Sequence, residues 1–241
     1  NQNWFDASFS LDQDYFIYTA DRDRNNSIIE DQIRYIHIET GVNAPLWTAP
    51  ASVRIMNVEW GQDDNIYFTW DFGNTAQIRR TTPENGIWRI DGTQVGGIAT
   101  PQPVTSVLDV LPSVPAGLVL DPAFYLHGIP SVSDEGLVAF LARFRSPNCT
   151  FNCSTYQGLY SYDPGQDSFT LVESLPNVSR PIADIVWIAE SPDKDIAYLQ
   201  LFDGFNGYHN LFVEELNGTI QREIRGEDVY FFDALESYAL S

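Results

Sequence analysis

Asp21, Asp23 and Asn25 alternate in the stretch DRDRNNSIIE, which runs from Asp21 to Glu30. Oxygen-bearing side chains at every second position can converge on one hard cation, and D-x-D-x-N opens the calcium loop of an EF-hand. The stretch departs from that pattern twice. Asn26 stands where the sharp turn needs glycine, and Glu30 comes too early to be the closing ligand. Arg22 and Arg24 lie between the acids and can neutralise them. Asn25 also begins a sequon, NNS, and a glycan there would obstruct a metal. Calcium at Asp21, Asp23 and Asn25 is one reading; a solvated loop between two strands is the other, and it needs no missing ligand.

Other chemistry is sparser. The chain has no G-x-S-x-G elbow, no H-E-x-x-H and no phosphate-binding glycine loop. A nucleophile–His–Asp set could be assembled from His127 or His209, but no spacing selects one. Carboxylate pairs suited to glycoside hydrolysis cannot be singled out among 33 acidic residues, so no catalytic residue is nominated. Cys149 and Cys153, in NCTFNCST, could form a disulfide, remain thiols or supply half a metal site. The histidines offer no partner spacing, so a disulfide across a loop tip is expected. So small a ring constrains the unfolded chain by roughly 2 kcal/mol. Sequons begin at Asn25, Asn148, Asn152, Asn177 and Asn217, all in expected loops or turns. Phe202, Phe205 and Tyr208 lie in the Gly-rich stretch LFDGFNGYHNLF, where rings can face a sugar or a protein partner, or fold back on a strand edge.

The bulk composition limits the partners. At 241 residues with 44% hydrophobic and 14% aromatic content, a sizeable core is possible. The formal charge of −20 repels phosphate backbones and anionic lipid, so neither nucleic acid nor a membrane is an expected partner. The most apolar stretch, VTSVLDVLPSVPAGLVLDPAFYL, is broken by Asp109, Pro112, Pro115 and Asp121. The sequons and the cysteine pair together suggest an extracellular or periplasmic protein. The start at Asn1 reads as a processed chain or part of a longer one.

The elements that must position these residues recur. SFSLDQDYFIYTA is echoed by NVEWGQDDNIYFTW (57–70), IPSVSDEGLVAFLA (129–142) and WIAESPDKDIAYLQ (187–200). Each has an apolar lead-in, a turn built on Asp12, Asp63, Asp134 or Asp193, and a run of strand composition. A second motif follows each: IRYIHIETG, GIWRIDGTQ, GLYSYDPGQ and NLFVEELNG, an alternating strand ending in a Gly turn. A further short strand comes next, in APLWTA, QVGGIAT, SFTLVES and TIQREI. Four antiparallel strands per repeat is the blade of a β-propeller. The units fall at about 4–50, 51–100, 126–176 and 182–225, with a partial fifth at 226–241. The Pro-rich stretch 101–125 reads as an insertion that packs on the rest. Trp4, Trp47, Trp60, Trp70, Trp88 and Trp187 sit on or beside strands and are expected mostly in the core.

The Asp turn followed by a strand and a D-x-x-G-like turn resembles the TolB-like (WD40-like, SPDG) propeller repeat. Ser191-Pro192-Asp193 matches best. Ser131 to Gly136 keeps Ser, Asp and Gly with an offset, and Ser10-Leu11-Asp12 and Gly61-Gln62-Asp63 are looser. The resemblance implies an all-β propeller and leaves the function open, because such propellers serve as binding platforms, assembly subunits and accessory domains. A non-enzymatic binding or assembly module, taking a protein, a glycan or copies of itself, is the leading expectation. An accessory propeller of a secreted hydrolase, or a glycan-active enzyme, is the alternative. No cofactor is implied beyond the calcium already weighed. The tail GEDVYFFDALESYALS begins a fifth unit and stops where its second strand would run. A longer natural chain, closure onto the first unit, or pairing with another copy would each cover the open edges.

Thiol labelling of the unreduced, denatured chain is expected to find neither Cys149 nor Cys153 reactive. Two labelled thiols would remove the disulfide.

Overall fold

Alternating side chains make the strands. In β2 (Tyr15–Ala20), Ile17 and Thr19 are fully buried while Phe16 and Tyr18 stay half-buried, the period of two that a strand imposes. The computed structural model describes residues 7–21, 30–73, 78, 81–106, 109, 114, 116–120, 127–148, 155–175, 182–187, 196–203, 208–214 and 220–226, and from residue 173 onward it describes the backbone.

The described strands form four antiparallel sheets, each a meander in chain order. The first holds β1 (Ala7–Phe9), β2, β3 (Gln32–His37) and β4 (Asn43–Thr48). The second holds β5 (Val53–Trp60), β6 (Asn65–Phe72), β7 (Gly86–Asp91) and β8 (Gln102–Ser106). β9 (Val119–Leu120) pairs with the end of β11 (Val138–Arg145). The third sheet is β10 (His127–Val132), β11 (Val138–Arg145), β12 (Thr155–Asp163) and β13 (Ser168–Leu175). The fourth is β14 (Ile182–Trp187), β15 (Ile196–Asp203), β16 (Tyr208–Glu214) and β17 (Ile220–Gly226). The chain divides into two compact units, Asn1–Asp109 and Val110–Ser241, each holding two of these sheets. Within the first unit β5 lies against β1 and β2, and within the second β14 lies against β10.

The recurring acidic turn has one geometry. The N–H of Gln13, Asp64 and Gly136 donates to the carbonyl of Ser10, Gly61 and Ser133 at 2.9, 3.1 and 2.9 Å. All three donors are left-handed, with φ of 63°, 63° and 80°. Only glycine takes that conformation without cost, so Gly136 is the relaxed version of the turn. In the first turn Asp12 Oδ1 accepts from Ser10 Oγ at 2.6 Å and from the Asp14 N–H at 3.0 Å. Those bonds, the serine's first, hold its carboxyl below the ordinary value. The third turn corrects the expected alignment. Counting from Ser133, the place of Asp12 and Asp63 is taken by Glu135, and Asp134 stands one residue early. The turn at Asp193, with the best sequence match, lies outside the described residues.

The end of the second unit also differs from expectation. QVGGIAT does not form the fourth strand. Gly92–Gln94 is a 3-10 turn capped by the Asp91 side chain, Gly96 is left-handed at φ 85°, and the strand β8 begins only at Gln102. Consecutive glycines favour the loop over the strand. Pro103 is tolerated in β8 because that strand lies at the sheet's edge.

The core of the first unit lies between its two sheets. Ile17 and Ile33 on one sheet meet Ile55, Val58, Ile66, Phe68 and Ile90 on the other, all without solvent exposure. Trp47, Trp70 and Trp88 pack against this cluster from its side, with ring centroids 5.4 and 4.6 Å apart. A bulge at Asn57, φ 55°, shifts the register between Met56 and Glu59. It puts Val58 into the core beside Ile55. In the third sheet Tyr160 stacks on Phe140 at 5.6 Å and Tyr162 on Phe169 at 4.5 Å.

Phe68→Ala is expected to cost about 3–5 kcal/mol, read as a lower urea midpoint. Phe9→Ala, at a side chain 51% exposed, is expected to stay within about 0.5 kcal/mol of the parent.

Candidate functional site

The face of the second sheet turned away from that core carries polar residues. Cross-strand register sets Tyr67 beside Arg89 and Arg89 beside Gln102, with Asn65 beside Asp91 one row along. Residues two apart on a strand share a face, so these side chains form one patch. Deeper on the same face, Tyr67, Thr69, Asp71, Ile87 and Thr105 are buried.

Hydrogen bonds fix the patch from the acidic turn. The Tyr67 hydroxyl donates to Asp63 Oδ2 at 2.7 Å. Asn65 Nδ2 donates to the same oxygen at 2.8 Å, and the Asn65 N–H donates to Oδ1 at 3.2 Å. Both carboxylate oxygens of Asp63 therefore serve their own turn and strand. Burial, and next the hydrogen bond to Asp63, push the Tyr67 phenol well above its ordinary value, while the Arg89 guanidinium acts in the opposite direction. The phenol stays neutral at any physiological pH.

The loop between β7 and β8 closes the patch into a pocket. Asp91 Oδ1 accepts from Thr93 Oγ1 at 2.6 Å and from its N–H at 2.9 Å, which holds the Asp91 carboxyl below the ordinary range. Gln94 Oε1 accepts the Thr100 N–H at 2.8 Å and ties the loop across. The Gly92 N–H donates to the Asp64 carbonyl at 3.1 Å. A Cβ at Gly92 would run into that carbonyl and the Trp60 ring, so only glycine lets the loop approach the turn this closely. The result is a pocket of about 200 Å³ lined by Asn65, Arg89, Asp91, Gln94, Thr100 and Gln102. It holds one cation, one carboxylate and three amides, and no aromatic ring. Such a lining can hydrogen-bond hydroxyls and pair with an anion.

The first sheet shows what this face carries elsewhere. The Ile38 N–H donates to the Asp14 carbonyl at 2.8 Å as Gly92 does to Asp64. Tyr15, Ile17, Tyr35 and His37 therefore match Asn65, Tyr67, Arg89 and Asp91. There Tyr15 touches Tyr35 and His37, at 6.0 and 5.0 Å, and stacks on Trp60 of the next sheet at 6.3 Å. The same four positions are aromatic or aliphatic packing in one sheet and hydrogen-bonding groups in the next.

Few of the residues singled out in the sequence fall in this pocket. Asp21 is half-buried just after β2, at the position that Asp71 holds after the matching run of β6. Asp23 and Asn25 lie outside the described residues, as do Cys149, Cys153, Asn152, Asn177, Asn217 and Phe205. Asn148 is exposed in the turn that follows β11. Phe202 is in β15 and Tyr208 opens β16, where Asp203 and Tyr208 pair across the hairpin. Among the described residues no group of three or more His, Cys, Asp or Glu gathers as metal ligands would. No described helix is long and apolar enough to cross a membrane.

Solved structures resemble this fold. No protein-family model matches the chain, and no curated protein matches its sequence. An oligogalacturonate lyase from Vibrio parahaemolyticus superposes with a TM-score of 0.54 at 7% identity, over 93% of this chain and 54% of that one. An oligogalacturonate lyase in complex with manganese gives 0.50 at 12% identity, over 91% and 52%. A Hadza microbial sialidase, Hz136, gives 0.51 at 10% identity, over 92% and 45%. The lyases are propeller-type folds. The likeness at these identities is one of fold, and the chain spans about half the length of these proteins.

Sequence reasoning named Asp63 for its turn and quoted GIWRIDGTQ for its strand, but it did not nominate the pocket. The signal was present. Aligning IRYIHIE (33–39) with IWRIDGT (87–93) sets Arg89 and Asp91 against Tyr35 and His37, a charged pair where the neighbouring repeat has rings.

Tyr67→Phe is expected to lower stability by about 1–2 kcal/mol, because Asp63 loses a donor from a buried partner. Tyr18→Phe, which removes a more open hydroxyl bonded to Asn43 at 3.0 Å, is expected to cost less than half as much in the same melt.

Proposed function

We propose that this chain is a run of consecutive blades of a TolB-like propeller and that it binds carbohydrate, as the propeller of an exported glycan-active protein. The observation that carries this reading is the ring-free, amide-rich pocket on the second sheet, with Arg89 and Asp91 at its rim. Fold likeness to two proteins named for acidic carbohydrates, a galacturonate oligomer and sialic acid, adds support. So does the turn geometry shared by Ser10, Gly61 and Ser133, which is where a TolB-like repeat has its SPDG turn. In this reading the four described sheets are blades.

The manganese of the one lyase is not carried over to this pocket. Arg89 brings a positive charge into it, and Asp91 Oδ1 is occupied by Thr93. These residues do not suit a divalent cation, which needs converging oxygen ligands. The pocket is a recognition site, and no catalytic step is assigned to it.

A module that binds copies of itself is the second reading, favoured by the first sheet. Phe9 and Phe16 lie 4.9 Å apart, Phe16 and Tyr18 6.1 Å, and Phe9 is 51% exposed. The matching positions on the second sheet, Ile66 and Phe68, are fully buried. Glycan-array screening of the whole chain, followed by sedimentation, separates the two readings. Retention of short acidic or neutral oligosaccharides by a monomer supports carbohydrate binding. A concentration-dependent oligomer with no glycan bound would replace it with self-assembly.

A further inference from the structure

The charge distribution in the second-sheet pocket narrows the ligand, and the inference rests on the carbohydrate reading above. We infer that the pocket selects a single acidic sugar, with Arg89 taking the carboxylate and Asn65, Gln94 and Gln102 taking the hydroxyls. Arg89 is the one cation among the lining residues. Asp63 and Asp91 stay charged beside it, and Asp91 feels the Arg89 charge, but both spend hydrogen-bond acceptors on other partners. Asp63 accepts from Asn65 and Tyr67 through both oxygens, and Asp91 Oδ1 accepts twice from Thr93. Among the described residues no carboxylate accepts a hydrogen bond from the Arg89 guanidinium. The guanidinium reaches the Tyr67 hydroxyl, and its remaining donors form a planar fork that fits a carboxylate, the stronger kind of contact.

Tyr67 acts as a positioning residue. It is fully buried, bonded to Asp63, and adjacent to Arg89 in the cross-strand register. A neutral phenol there steadies the arginine without cancelling its charge. The amides can both donate and accept, which suits sugar hydroxyls. Size limits the ligand further: about 200 Å³ lies below the roughly 300–1,000 Å³ of a drug-sized cleft, so the pocket itself takes one ring, and any further rings of an oligosaccharide would lie outside it. With no aromatic ring in the lining, a neutral sugar has no stacking platform, and charge decides affinity. The net charge of −20 does not oppose this at short range, since exposed charges beyond about 8 Å are largely screened at physiological salt.

Calorimetric titration of the whole chain with galacturonic acid and with its methyl ester is the test, because the ester keeps the hydroxyls and shape and removes the charge. The acid is expected to bind about tenfold or more tightly than the ester. Arg89→Gln is expected to abolish that difference, Arg89→Lys to restore part of it, and Tyr67→Phe to weaken the acid more than the ester. Equal affinity for acid and ester would overturn the selection and leave carbohydrate binding standing. Succinate binding as tightly as the acid would overturn the sugar assignment. Binding of neither ligand, with sugars also failing on the array, would overturn both. Should the Arg89 variants fail to fold, the acid-to-ester ratio of the parent chain decides alone.

Discussion

A four-stranded sheet has two faces, and in this chain both faces of a sheet can be buried. Isoleucines 17 and 33 on the first sheet meet Ile66, Phe68 and Ile90 on the second with no exposure on either side. At roughly 25 cal/mol per Å² of apolar surface removed from water, such contacts are the main favourable term available to strands this short. Much else in the first unit follows from that contact. The bulge at Asn57 keeps Val58 facing inward, and the three tryptophans close the flank.

Once one face of the second sheet is committed to the core, the opposite face is free to differ. It keeps Thr69 and Ile87 as packing, but it replaces the ring positions of the first sheet with Asn65, Arg89 and Asp91. Burying polar groups without partners would cost several kcal/mol. Here the acidic turn provides the partners, because Asp63 satisfies Tyr67 and Asn65 at once. A residue type chosen for turn geometry thereby becomes the anchor of a polar pocket. Gly92 then lets the β7–β8 loop close over it.

The same architecture accounts for why fold likeness and chemistry part company. The lyases and the sialidase share the arrangement of sheets at 7–12% identity. At that distance the fold is shared, while the side chains that face a ligand do not have to be. The function therefore has to be argued from the pocket of this chain.

Much of the local structure was written in the sequence. Period-two alternation in YFIYTA and NIYFTW marks β2 and β6, and the carboxylates before them mark the turns, because strand pleat and turn backbone are short-range effects. The sequence also held the contrast between Tyr35-Ile36-His37 and Arg89-Ile90-Asp91. What it could not decide was which face of each strand would be core. Alternation fixes two faces without saying which neighbour covers either, and that choice rests on contacts between residues such as Ile17 and Phe68, some fifty positions apart. The shift of the fourth strand from QVGGIAT to Gln102–Ser106 had the same origin. Val95, Gly97 and Thr100 bond back to Gly92 and Gln94 within the loop, Gly92 is tied to Asp64, and the edge of β7 takes Gln102–Ser106 instead, a set of partners that only the folded sheet assembles.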